Sequence, residues 1–319
     1  MSQIDWLSQL LQMITVTGQL EVRCTYGAPW RVTWAQSAAH EIPYHVVLKG
    51  RAIIEDLERG TARELVGGDI VLLPHGAAHV LHDGSGHSPV RTYDRQDSAG
   101  WIFSENDSRG EHLDMLCGRF CIGPPHDRLI RDYLPNYLVV RAMDDQSEES
   151  VVSASSHLAS LVALMRMEST SDKPGGYAIL NALTLALFTL TLRAASESEQ
   201  AQAGLLALAG HPRLAPAISA MFADPARPWK LPDLAELCSM SRATFMRHFQ
   251  NKLGRSAIEL LIDIRMSLAA NALKKPATTT EAVAESVGYQ SVASFRRAFT
   301  DKMRMTPGQW RRLAREGEA

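Results

Sequence analysis

Cysteine is scarce in this chain, with four residues in 319 (Cys24, Cys117, Cys121 and Cys238), and no two stand in a CxxC pair. That excludes a zinc site of the usual finger or ribbon spacing and argues against a disulfide framework, so a reducing, cytoplasmic setting is expected. A long apolar run is also missing. The richest stretch, residues 178–192, contains Asn181 and three threonines and reads as a buried helix rather than a membrane span. The first ten residues, MSQIDWLSQL, lack a basic region followed by an apolar core, so no secretory signal is expected. Nor is there an overall positive charge to point at nucleic acid, since the net charge is −2.

The distribution of that charge is uneven. Residues 213–319 hold 17 Lys and Arg against 10 Asp and Glu, or +7, while residues 1–212 hold 16 against 25, or −9. An acidic body joined to a basic tail is the pattern of a chain that meets a polyanion. Residues 20–122 read as β structure, because short apolar runs such as YHVVL, RAIIEDL and DIVLLP alternate with glycine-bearing turns. Six histidines fall between His40 and His87. Residues 144–150 are polar and acidic and read as a loop. Two helices are expected next, over 156–168 and after the Pro-Gly-Gly break at 174–176. The second is apolar around much of its circumference, so it needs a partner on several sides. A polar linker is expected at 196–204, and everything beyond is helical by pattern.

The tail repeats itself. Ala235, Glu236, Ser241, Phe245, Arg247 and Phe249 match Ala284, Glu285, Ser291, Phe295, Arg297 and Phe299 once Gln290 is taken as an insertion. Each copy holds the parts of a helix-turn-helix: a small residue where two helices meet, a tight turn, a serine N-cap, and a phenylalanine pair four apart on the inward face. The outward face is then Arg242, Ala243, Met246, Arg247 and Gln250 in the first copy and Val292, Ala293, Arg296 and Arg297 in the second. A helix over about 256–274, capped by Ser256, joins the copies. Its length of about 27 Å is comparable with the ~34 Å between successive major grooves on one side of a duplex.

At these residues the chain resembles the AraC/XylS family of transcription regulators. The likeness runs from about Asp224 to Arg312 and includes Met240-Ser241-Arg242-x-x-Phe245, Arg265-Met266-x-x-Ala269, Val287-Gly288-Tyr289-x-Ser291-x-x-Ser294-Phe295 and Thr306-Pro307. Ser239 and Arg304 stand where that family usually has glycine. The resemblance implies a sequence-specific regulator, more often an activator, whose recognition helices touch promoter DNA near Ala243, Met246, Arg247, Val292, Ala293 and Arg297, with RNA polymerase as a partner. The run Gly68-Asp69-Ile-Val-Leu-Leu-Pro74-His75-Gly76-Ala-Ala-His79 resembles the second cupin motif, with Asp83 in its last place, and His45 is what remains of the first. The cupin-type sensor subgroup includes reactive-chlorine-sensing activators.

The expected fold is therefore α+β and multidomain: a cupin-like β-barrel sensor over 1–142, dimerisation helices and linker over 143–210, and an all-α double helix-turn-helix domain over 211–319. The expected function is DNA-binding transcription regulation in a cytoplasmic homodimer, under a small-molecule or oxidant effector. Charged substitutions at Leu187 and Phe188 are expected to break the dimer. No enzyme is expected; the alternative is a cupin-type metalloenzyme. A divalent metal would fall to His45 and His79, with Cys117 as third donor. Cys117 and Cys121, four apart on a strand, face one side. Cys24 and Cys117 are the effector or redox candidates. The resemblance places a cysteine on the first strand and another before a glycine late in the barrel of the oxidant-sensing members, and Arg23 and Arg119 are expected to lower the two thiol pKa values.

Overall fold

A computed structural model describes residues 5–96, 101–142, 154–171, 173–198 and 204–316. The expected loop at 144–150 lies outside them, as do residues 199–203 of the expected linker. The chain divides into two compact units, 16–122 with 135–198, and 1–15 with 123–134 and 199–319. In chain order α1 (Trp6–Met13) is followed by β1 (Val16–Gly27), β2 (Arg31–Trp34), β3 (Glu41–Lys49), β4 (Arg51–Asp56), β5 (Thr61–Val66), β6 (Asp69–Leu72), β7 (His79–His82), β8 (Tyr93–Gln96), β9 (Ile102–Glu105) and β10 (His112–Ile122). Then come α2 (His126–Tyr133), β11 (Leu138–Arg141), α3 (Ala154–Glu168) and α4 (Gly176–Glu197).

The first unit is the barrel. One sheet runs β11-β6-β3-β10-β1-β9-β8 and the other β2-β7-β4-β5. Their facing side chains, among them Tyr26, Trp30, Val47, Ile54, Val71, Leu81 and Met115, form one apolar core. The Gly-Asp motif works as its chemistry requires. Gly68 takes φ +92, and Asp69 accepts the Val66 amide at 2.9 Å and holds Arg141 of β11 at 2.7 and 3.1 Å. His79 then opens β7 with its side chain inside.

Helix α4 is longer than its most apolar stretch. It has 22 residues with an 18-residue stretch of mean hydropathy 1.6, long and apolar enough to cross a membrane by length and composition, which corrects the expectation that a long apolar run is missing. Its burial has another cause here. Leu180, Leu187, Phe188 and Leu192 are fully enclosed, the Phe188 ring packs tilted against Phe120 of β10 at 4.8 Å, and Tyr177 and Asn181 bond to β1 at Gln19 and Leu20. Leu187 and Phe188 therefore belong to the internal core, and the expectation that they face a second subunit is corrected. The apolar residues left outside are Leu164 and Met167 on α3 and Tyr177, Ile179 and Leu185 on α4.

The second unit is helical: α5 (Gly204–Ala209), α6 (Ala215–Ala223), α7 (Leu231–Leu237), α8 (Arg242–Leu253), α9 (Ala257–Lys274), α10 (Thr280–Ser286), α11 (Val292–Met303) and α12 (Pro307–Glu316). Helices α1 and α2, distant in sequence, pack here as well. Asn271 of α9 donates to the Met13 carbonyl at 2.6 Å and lies 2.9 Å from His126 Nε2, while Tyr133 donates to Asp263 at 2.5 Å. α9 runs through the middle. Leu273, Val283, Phe295, Phe299 and Trp310 close one core around it, with Trp310 Nε1 donating to the Ala270 carbonyl at 3.0 Å.

Candidate nucleic-acid interface and barrel site

The two halves of the repeat superimpose in their hydrogen bonds as well as their letters. Met240 donates its amide to the Ala235 carbonyl at 3.0 Å, and Tyr289, forty-nine positions on, donates to Ala284 at 2.9 Å. Ser241 Oγ caps α8 by accepting the Thr244 amide at 3.2 Å, and Ser291 Oγ caps α11 through Ser294 at 3.4 Å. The rings of Phe245 and Phe249 meet tilted at 4.7 Å and those of Phe295 and Phe299 at 5.7 Å, all four fully buried. Burial of these rings turns the opposite face of each helix outward.

On that outward face Arg242, Ala243, Met246 and Arg247 are exposed, as are Ala293, Arg296 and Arg297. Val292 is half-buried, so it lies at the edge of the face and not on it. Arg296 rests 3.4 Å from Glu281, both well exposed, and Arg297 donates to Ser294 Oγ at 3.4 Å. Arg242 and Arg247 form no ion pair among the described residues. The arginines of α11, with Thr300, Asp301 and Arg304, rim a surface hollow of about 580 Å³. A face of this kind can meet phosphates and base edges together.

Arg265, singled out by sequence only as part of a motif, turns inward. It donates to the carbonyls of Pro225 at 2.6 Å and Arg227 at 2.8 Å, and lies over the Tyr289 ring at 5.8 Å. It ties α9 to the loop before α7, and burial lowers its pKa. Its spacing from Tyr289 was readable, but its loop partners were not.

Inside the barrel four candidate residues converge in a line. Cys24 Sγ lies 3.8 Å from Cys117 Sγ, Cys117 Sγ lies 3.0 Å from His45 Nδ1, and His45 Nε2 lies 2.8 Å from His79 Nε2. His79 Nδ1 meets the Ala77 carbonyl at 2.8 Å. Pairing places them there: β10 sits between β1 and β3, with Cys117 opposite Val22 on one side and His45 on the other. Trp34, which sequence reasoning missed, stands opposite His79 across β2 and β7. Its ring stacks on His79 at 5.4 Å and meets His45 edge-on at 4.9 Å. Only non-local pairing brings it there. Cys121, half-buried, lies next to Arg119 and Glu41, and Cys238 is core.

The electrostatics differ from expectation. Arg23 is held by Asp114 at 2.9 and 2.8 Å, and Arg119 is taken by Glu21 and by Glu41 at 2.5 Å. Neither is free to stabilise a thiolate. Burial, and then the neighbouring Cys24, pushes the Cys117 thiol well up, so the expected lowering is corrected. Burial likewise drives His45 well down, helped by His79, and lowers His79. As for a metal, the two nitrogens of His45 face opposite ways, one to Cys117 and one to His79. The three candidate donors do not converge on one point, and among the described residues no group of three or more His, Cys, Asp or Glu side chains does so.

A two-sheet β-barrel continued by a paired helix-turn-helix body defines a class: AraC-type regulators with an N-terminal cupin domain. Residues 5–197 match the family described as Cupin, which covers more than half of the chain, and the chain belongs to that family. Residues 234–313 match the one described as Helix-turn-helix domain. The chain is similar to an uncharacterized HTH-type transcriptional regulator of Haemophilus influenzae, 28% identical over 97% of this chain and 99% of the relative. It is also similar to the RCS-specific HTH-type transcriptional activator RclR of Escherichia coli, 27% identical over 98% and 99%. HTH-type transcriptional regulator MtrA of Neisseria gonorrhoeae is 28% identical over 97% and 98%.

Proposed function

We propose that the chain is a transcription regulator of the AraC type, an activator that works in the cytoplasm as a homodimer on promoter DNA and engages RNA polymerase. The observation that carries this is the duplicated recognition helix, whose two copies bury the same phenylalanine pair and expose the same arginine position, Arg247 and Arg297. Binding to a target promoter is expected to fall steeply with salt, because each phosphate contact releases a counterion. Arg247→Ala and Arg297→Ala are each expected to cost about 1–3 kcal/mol on specific DNA if the guanidinium reads guanine. Titration of both variants on specific and random duplexes separates base readout, which affects only the former, from phosphate contact, which affects both. No effect from either variant rejects the assigned face.

The barrel is the sensor, and Cys24 with Cys117 is its element for an oxidant. Support comes from the sulfurs, 3.8 Å apart inside one core. Hypochlorite treatment followed by disulfide mapping is expected to find the Cys24–Cys117 bond and altered DNA binding. A Cys24→Ala, Cys117→Ala double variant that responds like wild type removes the reading. A cupin metalloenzyme is the competing view, and it requires the His45 ring to turn before three donors can share an ion. Metal analysis of the purified protein distinguishes the two.

A further inference from the structure

The hydrogen bonds of the barrel line have a fixed direction. A carbonyl only accepts, so His79 Nδ1 carries the hydrogen in its 2.8 Å bond to Ala77. In a neutral ring the other nitrogen, Nε2, is then an acceptor. His45 Nε2, 2.8 Å away, must be the donor. That leaves His45 Nδ1 bare, and the Cys117 thiol, 3.0 Å away, donates to it. One backbone carbonyl thus sets the tautomer of two histidines and points a base at one sulfur of the pair. The bare nitrogen serves Cys117 and not Cys24.

We propose that Cys117 is the thiol that reacts first, that His45 takes its proton, and that Cys24 resolves the product into the disulfide. This rests on the oxidant reading given above. The co-reactant is a hypohalous acid, small and uncharged in its acid form. As the Cys117 proton passes to His45 Nδ1, a sulfur lone pair attacks the halogen. The sulfur–halogen bond forms, the halogen–oxygen bond breaks, and the leaving hydroxide takes up a proton as water. The Cys24 sulfur then attacks the Cys117 sulfur, the S–S bond forms, halide leaves and the Cys24 proton is released. Two thiols lose two electrons and the halogen gains them. The imidazolium formed on His45 keeps both bonds, donating to the Cys117 thiolate and to His79. That environment offsets burial, which otherwise keeps the thiol protonated.

The test uses full-length protein, limiting hypochlorite, mass spectrometry of each cysteine, and dimedone to trap the sulfenyl halide or the sulfenic acid that water gives from it, with loss of hydrogen halide, when no second thiol is present. In Cys24→Ser, Cys117 is expected to appear as the dimedone adduct. In Cys117→Ser, Cys24 is expected to stay reduced at the same dose. His45→Asn, which keeps an acceptor but holds no proton, is expected to slow both Cys117 oxidation and its alkylation by monobromobimane at least tenfold. The opposite pattern in the serine variants overturns the proposal, and those variants decide it even if His45→Asn fails to fold. Equal rates in wild type and a folded His45→Asn also overturn it, while leaving the disulfide reading intact. If wild type forms no disulfide at all, both readings fall.

Discussion

Two residues carry backbone that side chains resist. Ser239 lies at φ 50 in the first helix-turn-helix turn and Arg304 at φ 59 after α11. Their repeat partners are glycines, Gly288 at φ 83 and Gly254 at φ 71. Each copy thus keeps one glycine and forgoes the other, at a different place. Left-handed backbone costs a non-glycine residue about 1–2 kcal/mol, and glycine returns part of that through unfolded-state entropy. Ser239→Gly and Arg304→Gly are each expected to raise stability by about 0.5–1 kcal/mol in urea melts. Gly288→Ala is expected to be far more harmful, since its Cβ would lie 2.1 Å from the Ala226 carbonyl oxygen. Histidine sets a second expectation at this scale. His45, His79 and His126 are all lowered by burial from an ordinary value of 6.5, so the unfolded chain binds more protons. Their contribution is complete above about 6.5 and is lost as pH falls below it toward the folded values. Melting temperatures measured between pH 7.5 and 5.5 are expected to fall, and less steeply in His126→Asn.

Among the elements, α3 and α4 separate two kinds of apolar residue that look alike in sequence. Leu187 is fully buried, whereas Leu185 is 44% exposed. Leu187→Glu is expected to cost several kcal/mol of stability by forcing a charge into the core. Leu185→Glu with Leu164→Glu is expected to leave the melt nearly unchanged and to shift light scattering from dimer to monomer. A dimer that survives the pair places its interface elsewhere. Sequence pattern could find these helices, because their period is local. It could not sort their faces, because α4 is apolar nearly all round and only the sheet it meets decides which side is core. The same reason explains the barrel site. His45, His79, Cys24 and Cys117 were legible as residues worth watching, but their order in a line depends on the β1–β10–β3 pairing. The recognition helices were legible almost whole, because cap, turn and phenylalanine pair all lie within fifteen residues of each other.

At the scale of the molecule, the helical unit begins before the repeat announces itself. Every residue of α5 from Leu205 to Ala209 is buried. A fragment starting at residue 211 loses that helix, while one starting at 204 keeps it. The longer fragment is expected to melt higher and to bind promoter DNA more tightly, checked by calorimetry and titration side by side. Equal melting points make α5 dispensable. Residues 205–209, LLALA, carry no cap or period long enough to mark them, so their place is set by the helices that receive them.

Helix α1 is translated well before α9: Asn271, which donates to the carbonyl of Met13, follows it by 258 residues. At ~5–20 residues per second that interval is roughly ten to fifty seconds. For that time Leu7 and Leu10, both buried in the finished protein, have no final place. Until α9 is made, the nascent chain carries these apolar side chains without the helix that closes over them. The helical unit is complete only once α12, which brings Trp310 to its core, has been translated.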